Sequence, residues 1–501
     1  MNTIAYLCLG TYLILLVISA LSSWLLVPTV ITHRKHSEQQ KPQAPLVKFP
    51  KVTIQLPIFN EYYVSARLLN ALKLLNYPKD CFDIQILDDS TDETSDLLAV
   101  KTIELKQEGF SVSHIRRSMR EGFKSGALQH GMQISNSDFF AIFDADFMPD
   151  PDFLVKVMPY FQNEQVAIVQ TKLHFANWDT SFLTRIQQMQ TSLEFEIDIP
   201  RRAGLGSFLQ FNGTGGVLRR SSIQQAGGWQ GDTLAEDLDL TTRLYLKGWQ
   251  VVYAPEVIST GEFPIDVISL CSQQFRWVKG TTEVFRKLGD QVFNSALPPN
   301  TKDDWVSLCL FYNSMFPIFF ATGILSITVT LLNNYLPPSL VYWSSWLYLF
   351  WIVPMLITYT YAINLGKEKH NWWKNCGDFL FFLFYTLAFS WQNSIAVFQG
   401  GLGWRSEFKR TPKLANTKPQ ERKKYLNFKW DGMLLSEVFL GGIYAIMTII
   451  DSLEKLPLLF IHILLAASFI GKLVYTLYFR LSISNWLIPI IRRNSKIRTP
   501  V

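Results

Sequence analysis

The stretch DFFAIFDAD, residues 138–146, sets five apolar residues in a row between aspartates. A short unbroken apolar run reads as a strand buried on both faces. It stops abruptly at Asp144 and Asp146. Two residues apart on an extended chain, both side chains point the same way. Crowded like carboxylates are costly unless a cation lies between them, and oxygen ligands suit Mg2+ or Mn2+. A solvated turn, with Pro149 and Asp150 just beyond, accounts for the same residues without chemistry. The rest of the chain has to decide.

The pattern repeats on either side. VTIQLP (52–57), FDIQILDD (82–89) and VAIVQ (166–170) read as further strands, with helical patterns near 92–107 and 124–135. Strands alternating with helices predict a mostly parallel sheet covered on both faces. Such sheets bind ligands beyond the carboxyl ends of their strands. Asp88, Asp89, Asp144 and Asp146 stand at those ends, as an acidic rim suited to a metal and a nucleotide. GxGxxG and GxxxxGK[ST] are both missing, which argues against dinucleotide binding and a P-loop. In TLAEDLDL (233–240), Glu236 and Asp237 precede a helical run. They read either as acids favoured by the helix dipole or as a general base. In QQFRWVKG (273–280), Gln273, Arg276 and Trp277 stand just ahead of an apolar block, where an Arg/Trp pair also marks an ordinary membrane interface.

Charge is distributed unevenly along the 501 residues: 1–33 and 305–366 contain no Asp, Glu, Lys or Arg. A spanning helix needs about 20 apolar residues, so both ends of the chain read as membrane-embedded. The segment 1–32 is an uncleaved N-terminal anchor, 45–300 a cytoplasmic α/β domain, and 305–501 a membrane domain. Spans are expected near 306–332, 339–364, 433–450 and 456–478. Arg34, Lys35 and Lys41, then Lys367, Lys369 and Lys374, then the basic stretch 408–424, and finally Arg492, Arg493, Lys496 and Arg498, fall on one side if 379–398 does not cross. That segment therefore reads as an interface helix, with a true sixth span as the alternative. Glu437 and Lys472 read as snorkelling side chains. The net charge of +6 gathers beside the apolar stretches, which fits membrane lipids as neighbours and not nucleic acid. Five scattered cysteines form neither a metal site nor a disulfide framework. A transporter that merely binds nucleotide would carry internal repeats and paired broken helices, and neither is found.

In order along the chain stand PIFNE (57–61), LDDSTDET (87–94), GFKSGAL (122–128), FDADF (143–147), FNGTGG (211–216), AED (235–237), QQFRW (273–277) and FKRTPK (408–413). With these motifs the sequence resembles the family 2 membrane glycosyltransferases of the cellulose synthase superfamily, most of all the cellulose synthase-like A and C branch of glucomannan and glucan synthases. The resemblance implies a GT-A, Rossmann-like α/β domain embedded in an all-α multi-span membrane domain with interface helices. It implies an inverting, processive β-glycosyltransferase that takes hexose from UDP-glucose or GDP-mannose, extends a polysaccharide and moves it across the plasma (inner) membrane. A non-processive enzyme making a glycolipid is the alternative, since QxxRW also occurs there.

By the same resemblance, Glu61, Asp88, Asp89, Lys124, Asp144, Asp146, Gln273 and Arg276 bind the donor, and Asp144 and Asp146 hold Mg2+ or Mn2+. Asp237, with Glu236, is the catalytic base. Phe211, Asn212, Gly213 and Trp277 meet the acceptor, and Phe408, Thr411 and Lys413 belong to a gating-like loop at 404–424. Accessory export subunits are a further partner class that the resemblance allows. The family's usual Thr before Glu-Asp is Ala235 here.

Overall fold

The computed structural model describes residues 1–27, 30, 45–46, 48–365, 372–406 and 432–483. The gating-like residues Phe408, Thr411 and Lys413 lie outside them, as do the basic residues at 34–41, 367–369 and 492–498.

Among the described residues, eight strands make one sheet: β1 Val52–Ile58, β2 Phe82–Asp88, β3 Val112–Arg116, β4 Phe139–Ile142, β5 Met148–Pro149, β6 Val166–Phe175, β7 Gly216–Arg219 and β8 Gln250–Gly261, in the order β3-β2-β1-β4-β7-β6-β8-β5. The first half, β3-β2-β1-β4, is parallel throughout. The second half is mixed, because β7 runs antiparallel to both β4 and β6. Six of the eight strands still run the same way, as expected of a mostly parallel sheet, and β7 and the edge strand β5 oppose them. After the helices at 182–204, Gly213 and Gly215, at φ 77° and 62°, turn the chain into β7.

Strand order reverses beside β1 and β4, and a crevice opens at that reversal. Two buried amides place a helix there. Gln55 Nε2 on β1 donates to Gln85 Oε1 on β2 (3.0 Å), and Gln85 Nε2 donates to the Gly131 carbonyl (3.0 Å) of helix Phe123–Ile134. A Cβ on Gly131 would lie 2.6 Å from Gln55 Nε2, so this helix can approach only with glycine there. Its first turn, carrying Lys124, is thereby held over the strand ends.

Among the described residues, six helical runs are long and apolar enough to cross a membrane: Asn2–Trp24, Pro299–Leu331, Pro338–Leu365, Asn375–Leu402, Gly432–Glu454 and Leu459–Phe479. The interface helix expected at 379–398 is the middle of a longer one, Trp372–Leu402. Near its start, Asp378 accepts two bonds from Arg185 Nε (3.0 and 2.9 Å) of helix Phe182–Leu193. Beyond its end, the Trp404 carbonyl accepts from Lys279 Nζ at 2.5 Å.

Glu437 and Lys472 do not snorkel. Their side chains are 3% and 5% exposed, and Lys472 Nζ donates to Glu437 Oε1 at 2.7 Å between two apolar helices. Each charge satisfies the other where water is absent, which reaching for the interface would not do. Breaking such a pair on one side leaves a buried uncompensated charge, at a cost of about 3–5 kcal/mol. Lys472→Met or Glu437→Gln is expected to lower the thermal unfolding midpoint of the detergent-solubilised protein markedly. The double variant Glu437→Leu/Lys472→Met is expected to recover most of it; if the double variant is as unstable as the singles, the pairing is not what holds these helices.

Candidate active site

The strand ends at Ile142, and a turn closed by Phe147 N–H to the Asp144 carbonyl (2.9 Å) follows. Asp144 and Asp146 are therefore not neighbours on an extended chain. The Asp144 carboxylate is 37% exposed, and Asp146 is buried. The cation beside Asp144 is Lys124, whose Nζ donates to Asp144 Oδ1 (2.7 Å) and to the Gly213 carbonyl (2.9 Å). Glu236 Oε1 lies 3.8 Å from the same ammonium. Burial works against the charge on Lys124, but Asp144 and Glu236, with Asp237 behind them, outweigh it and raise its proton affinity.

Asp237 opens the helix Glu236–Leu246 beside Glu236, and its Oδ1 accepts the Leu238 amide at 2.8 Å. Burial chiefly, and the neighbouring Glu236 charge, push its carboxyl up to about 7 against the pull of Lys124. The positive φ of Gly213 belongs to this contact. A Cβ there would stand 2.9 Å from Asp237 Oδ2 and 3.3 Å from Lys124 Nζ. Four segments distant in sequence thus meet at one ammonium: Lys124, Gly213, Asp144 and the Glu236–Asp237 pair.

The other expected residues divide. Asp88 is closed to a ligand. Its side chain is 0% exposed and accepts from Ser90 N (2.8 Å), Ser95 Oγ (2.7 Å) and His114 Nε2 (2.9 Å). Burial would raise its carboxyl, but the bonds from His114, Ser90 and Ser95 prevail and hold it at about 2. A direct donor contact by Asp88 is corrected to a structural latch, because every near donor is already the protein's own. Asp89 accepts a two-pronged contact from Arg117, Nε at 3.0 Å and Nη2 at 2.5 Å. Glu61 stands at the start of helix Tyr62–Leu72, beyond β1. Next to it Asn60 ties the ends of β1 and β2 together through Ser90 and Thr91.

Phe211 is also corrected. It is 0% exposed and packs on Gly216, where a Cβ would fall 2.7 Å from its ring, so it is core and cannot touch an acceptor. Asn212 spends its amide on Glu194 Oε1 (2.9 Å). Gln273, Arg276 and Trp277 share helix Val267–Phe293, with Trp277 48% exposed. A cleft of about 990 Å3 adjoins the cluster, with Lys124 and Glu236 on its wall and Arg117, His130, Arg286 and Trp404 around it. Gln273, Arg276 and Trp277 do not line this cleft. Arg117, Thr214 (whose hydroxyl accepts the Asp144 amide at 3.0 Å) and Glu194 escaped the sequence reading. Only folding brings them to their partners.

Among the described residues no three His, Cys, Asp or Glu side chains gather as a metal cage. The partly exposed Asp144 carboxylate offers a hard oxygen donor, while Asp146, two residues on, is buried. That suits a magnesium-like ion which keeps water and phosphate oxygens as its other ligands.

Residues 139–365 match the model described as Glycosyl transferase family group 2. The chain is 37% identical over 273 residues to the probable glucomannan 4-beta-mannosyltransferase 4 of Oryza sativa subsp. japonica, covering 54% of this chain and 49% of the relative. To glucomannan 4-beta-mannosyltransferase 7 of Arabidopsis thaliana it is 37% identical over 252 residues, 49% of this chain and 45% of the relative. The chain thus spans about half the length of these relatives. A third relative, the probable glucomannan 4-beta-mannosyltransferase 3 of the same rice, matches at 32% identity over 421 residues, 79% of this chain and 72% of its own length. In fold, the chain resembles the solved mannosyltransferase PcManGT from Pyrobaculum calidifontis, in complex with GDP-Man and Mn2+, with a TM-score of 0.53 at 14% identity over 78% of this chain and all of that one. The chain belongs to the family 2 glycosyltransferases, in the cellulose synthase-like branch that holds the glucomannan 4-beta-mannosyltransferases.

Proposed function

We propose that this protein is an inverting β-glycosyltransferase that extends a hexose polysaccharide from a sugar nucleotide. GDP-mannose is the first donor, since the relatives are named mannosyltransferases and GDP-Man is bound in the solved mannosyltransferase of like fold, and UDP-glucose is its competitor. The observation that carries the reading is Asp237, a carboxyl with proton affinity near neutrality beside an ammonium that also holds Asp144.

A hydroxyl of the acceptor sugar attacks the anomeric carbon. The new C–O bond forms as the bond to the diphosphate oxygen breaks, and the hydroxyl proton passes to Asp237. Direct displacement turns an α-linked donor into a β-linked product. Negative charge grows on the leaving diphosphate, where Lys124 and Arg276 are the cationic side chains assigned to it. Asp144 and Asp146 are the carboxylates assigned to a divalent metal, which when bound supplies further positive charge to the diphosphate. Trp277 offers a half-exposed indole face to the apolar side of a sugar ring.

We place the catalytic domain in the cytoplasm at the plasma (inner) membrane, and helix Trp372–Leu402 along the interface. Contacts to the catalytic domain near both of its ends, Asp378 with Arg185 and Trp404 with Lys279, support that placement over a crossing. Five crossings then remain, and the product polymer passes outward between them.

Asp237→Asn is expected to lower turnover by about 10²–10⁴ while GDP or UDP binding by calorimetry stays close to wild type. Loss of nucleotide binding together with activity would move Asp237 from base to binding residue. Since the base acts deprotonated, kcat/KM is expected to fall about tenfold per pH unit below about 7 and to level off above it.

Chelation with EDTA is expected to abolish transfer, with Mg2+ or Mn2+ restoring it. Asp144→Ala is expected to weaken metal-dependent nucleotide binding. Turnover unchanged by EDTA would remove the metal from the mechanism.

A further inference from the structure

The proposed mechanism uses Arg276 and Trp277 of QQFRWVKG and leaves Lys279 without a task. Lys279 is 0% exposed, an unusual state for a lysine. Its Nζ donates to the Trp404 carbonyl (2.5 Å), to the Ser406 hydroxyl and to Gln399 Oε1 (3.4 Å), with Glu283 Oε1 3.8 Å away. The acceptors belong to a helix end. Gly403, at φ 71°, follows helix Trp372–Leu402. The Trp404 amide returns to the Gln399 carbonyl (3.0 Å) and the Gly403 amide to the Gly400 carbonyl (3.2 Å). This is a Schellman cap, and an ammonium beside it sits at the favourable pole of the helix dipole.

Glu283, one turn along on the same face as Lys279, reaches a different segment. Its Oε2 accepts the Leu234 amide at 2.8 Å. Leu234 leads into Glu236 and Asp237 through Ala235, which gives their helix no side-chain cap. Glu283 thus anchors, from a different element, the turn just ahead of that uncapped helix. Two glycines press the elements together. A Cβ on Gly280 would stand 2.8 Å from the Ala235 amide nitrogen, and one on Gly400 would stand 2.8 Å from the Lys279 carbonyl. The same turn of helix Val267–Phe293 therefore touches, backbone to backbone, both the turn before Asp237 and the end of helix Trp372–Leu402.

We propose that Lys279 and Glu283 are positioning residues. They tie the turn that carries Glu236 and Asp237 to residues 399–406, so that displacement of that helix end moves the Asp237 carboxylate. The inference rests on Asp237 being the base, but the link itself is a mechanical property of the fold. Lys279 does not line the cleft; Glu283 does, but its Oε2 is taken up by the Leu234 amide. A polar tie of this kind holds two elements in one register, because a buried ammonium tolerates only the arrangement that satisfies it.

The test uses full-length protein in nanodiscs, with Lys279→Met, Glu283→Leu and Glu283→Gln. Glutamine keeps an oxygen for the Leu234 amide, whereas leucine does not. Lys279→Met and Glu283→Leu are expected to lower kcat at least tenfold with donor KM within twofold, and Glu283→Gln to stay within threefold of wild type. Hydrogen exchange is the second readout. Lys279→Met is expected to speed exchange at 399–406 and also at 230–240, which Lys279 itself does not touch. Faster exchange at 399–406 alone, with kcat unchanged, overturns the proposal. Should Lys279→Met fail to fold, the contrast between leucine and glutamine at position 283 decides, and equal kcat in the two overturns it. If wild type transfers no sugar from any donor, the reading of Asp237 falls, while the exchange at 230–240 still decides the link.

Discussion

One ammonium organises this protein. Asp144 and the adjacent Glu236–Asp237 pair come from distant parts of the chain, and bringing three carboxyls together is unfavourable without a cation. Lys124 is that cation, and its place is set by apolar and amide packing elsewhere. The Gln55–Gln85 pair and the bare Gly131 dock its helix on the sheet. Gly213, at positive φ, lets the backbone pass within reach of both Lys124 and Asp237. The perturbed proton affinity of Asp237 follows from the same crowding: burial and Glu236 raise it, and Lys124 limits the rise.

The parallel half of the sheet was legible because β1, β2 and β4 are short apolar runs closed by acids, the signature of buried strands ending at a crevice. The membrane segments were legible because an uncharged apolar helix of that length matches the thickness of a bilayer's hydrocarbon core. β8 was missed. Its residues Gln250–Gly261 include Pro255 and Glu256 where a strand pattern should continue, and the register against β6 shifts near that point. The site was legible as residue types and not as contacts. Asp88 looked like a ligand, but His114 and Ser95 consume it. Phe211 looked exposed to an acceptor, but the missing side chain of Gly216 makes room for it in the core. Periodicity carries no information on which distant side chain will reach a given carboxylate.

The membrane half follows the same rule of local charge balance. Glu437 and Lys472 neutralise each other. Asp451 and His462 meet at 2.6 Å between the last two helices, with Thr330 and Ser326 bonded to their remaining atoms. These polar groups in the apolar region take their partners from other helices, so the pairs fix which helices are neighbours. Lys279 applies the principle at the junction, where the catalytic domain meets helix Trp372–Leu402.

The central claim is that this cluster of charges transfers sugar with inversion to a growing chain. Its most direct test is to incubate the purified protein in nanodiscs with labelled GDP-mannose or UDP-glucose, size the product, and read its anomeric configuration by NMR. The account expects a β-linked product of many sugars with at least one of the two donors, and none from a Lys124→Met variant. An α-linked product, or a single sugar on an organic-extractable lipid under both donors, would contradict it.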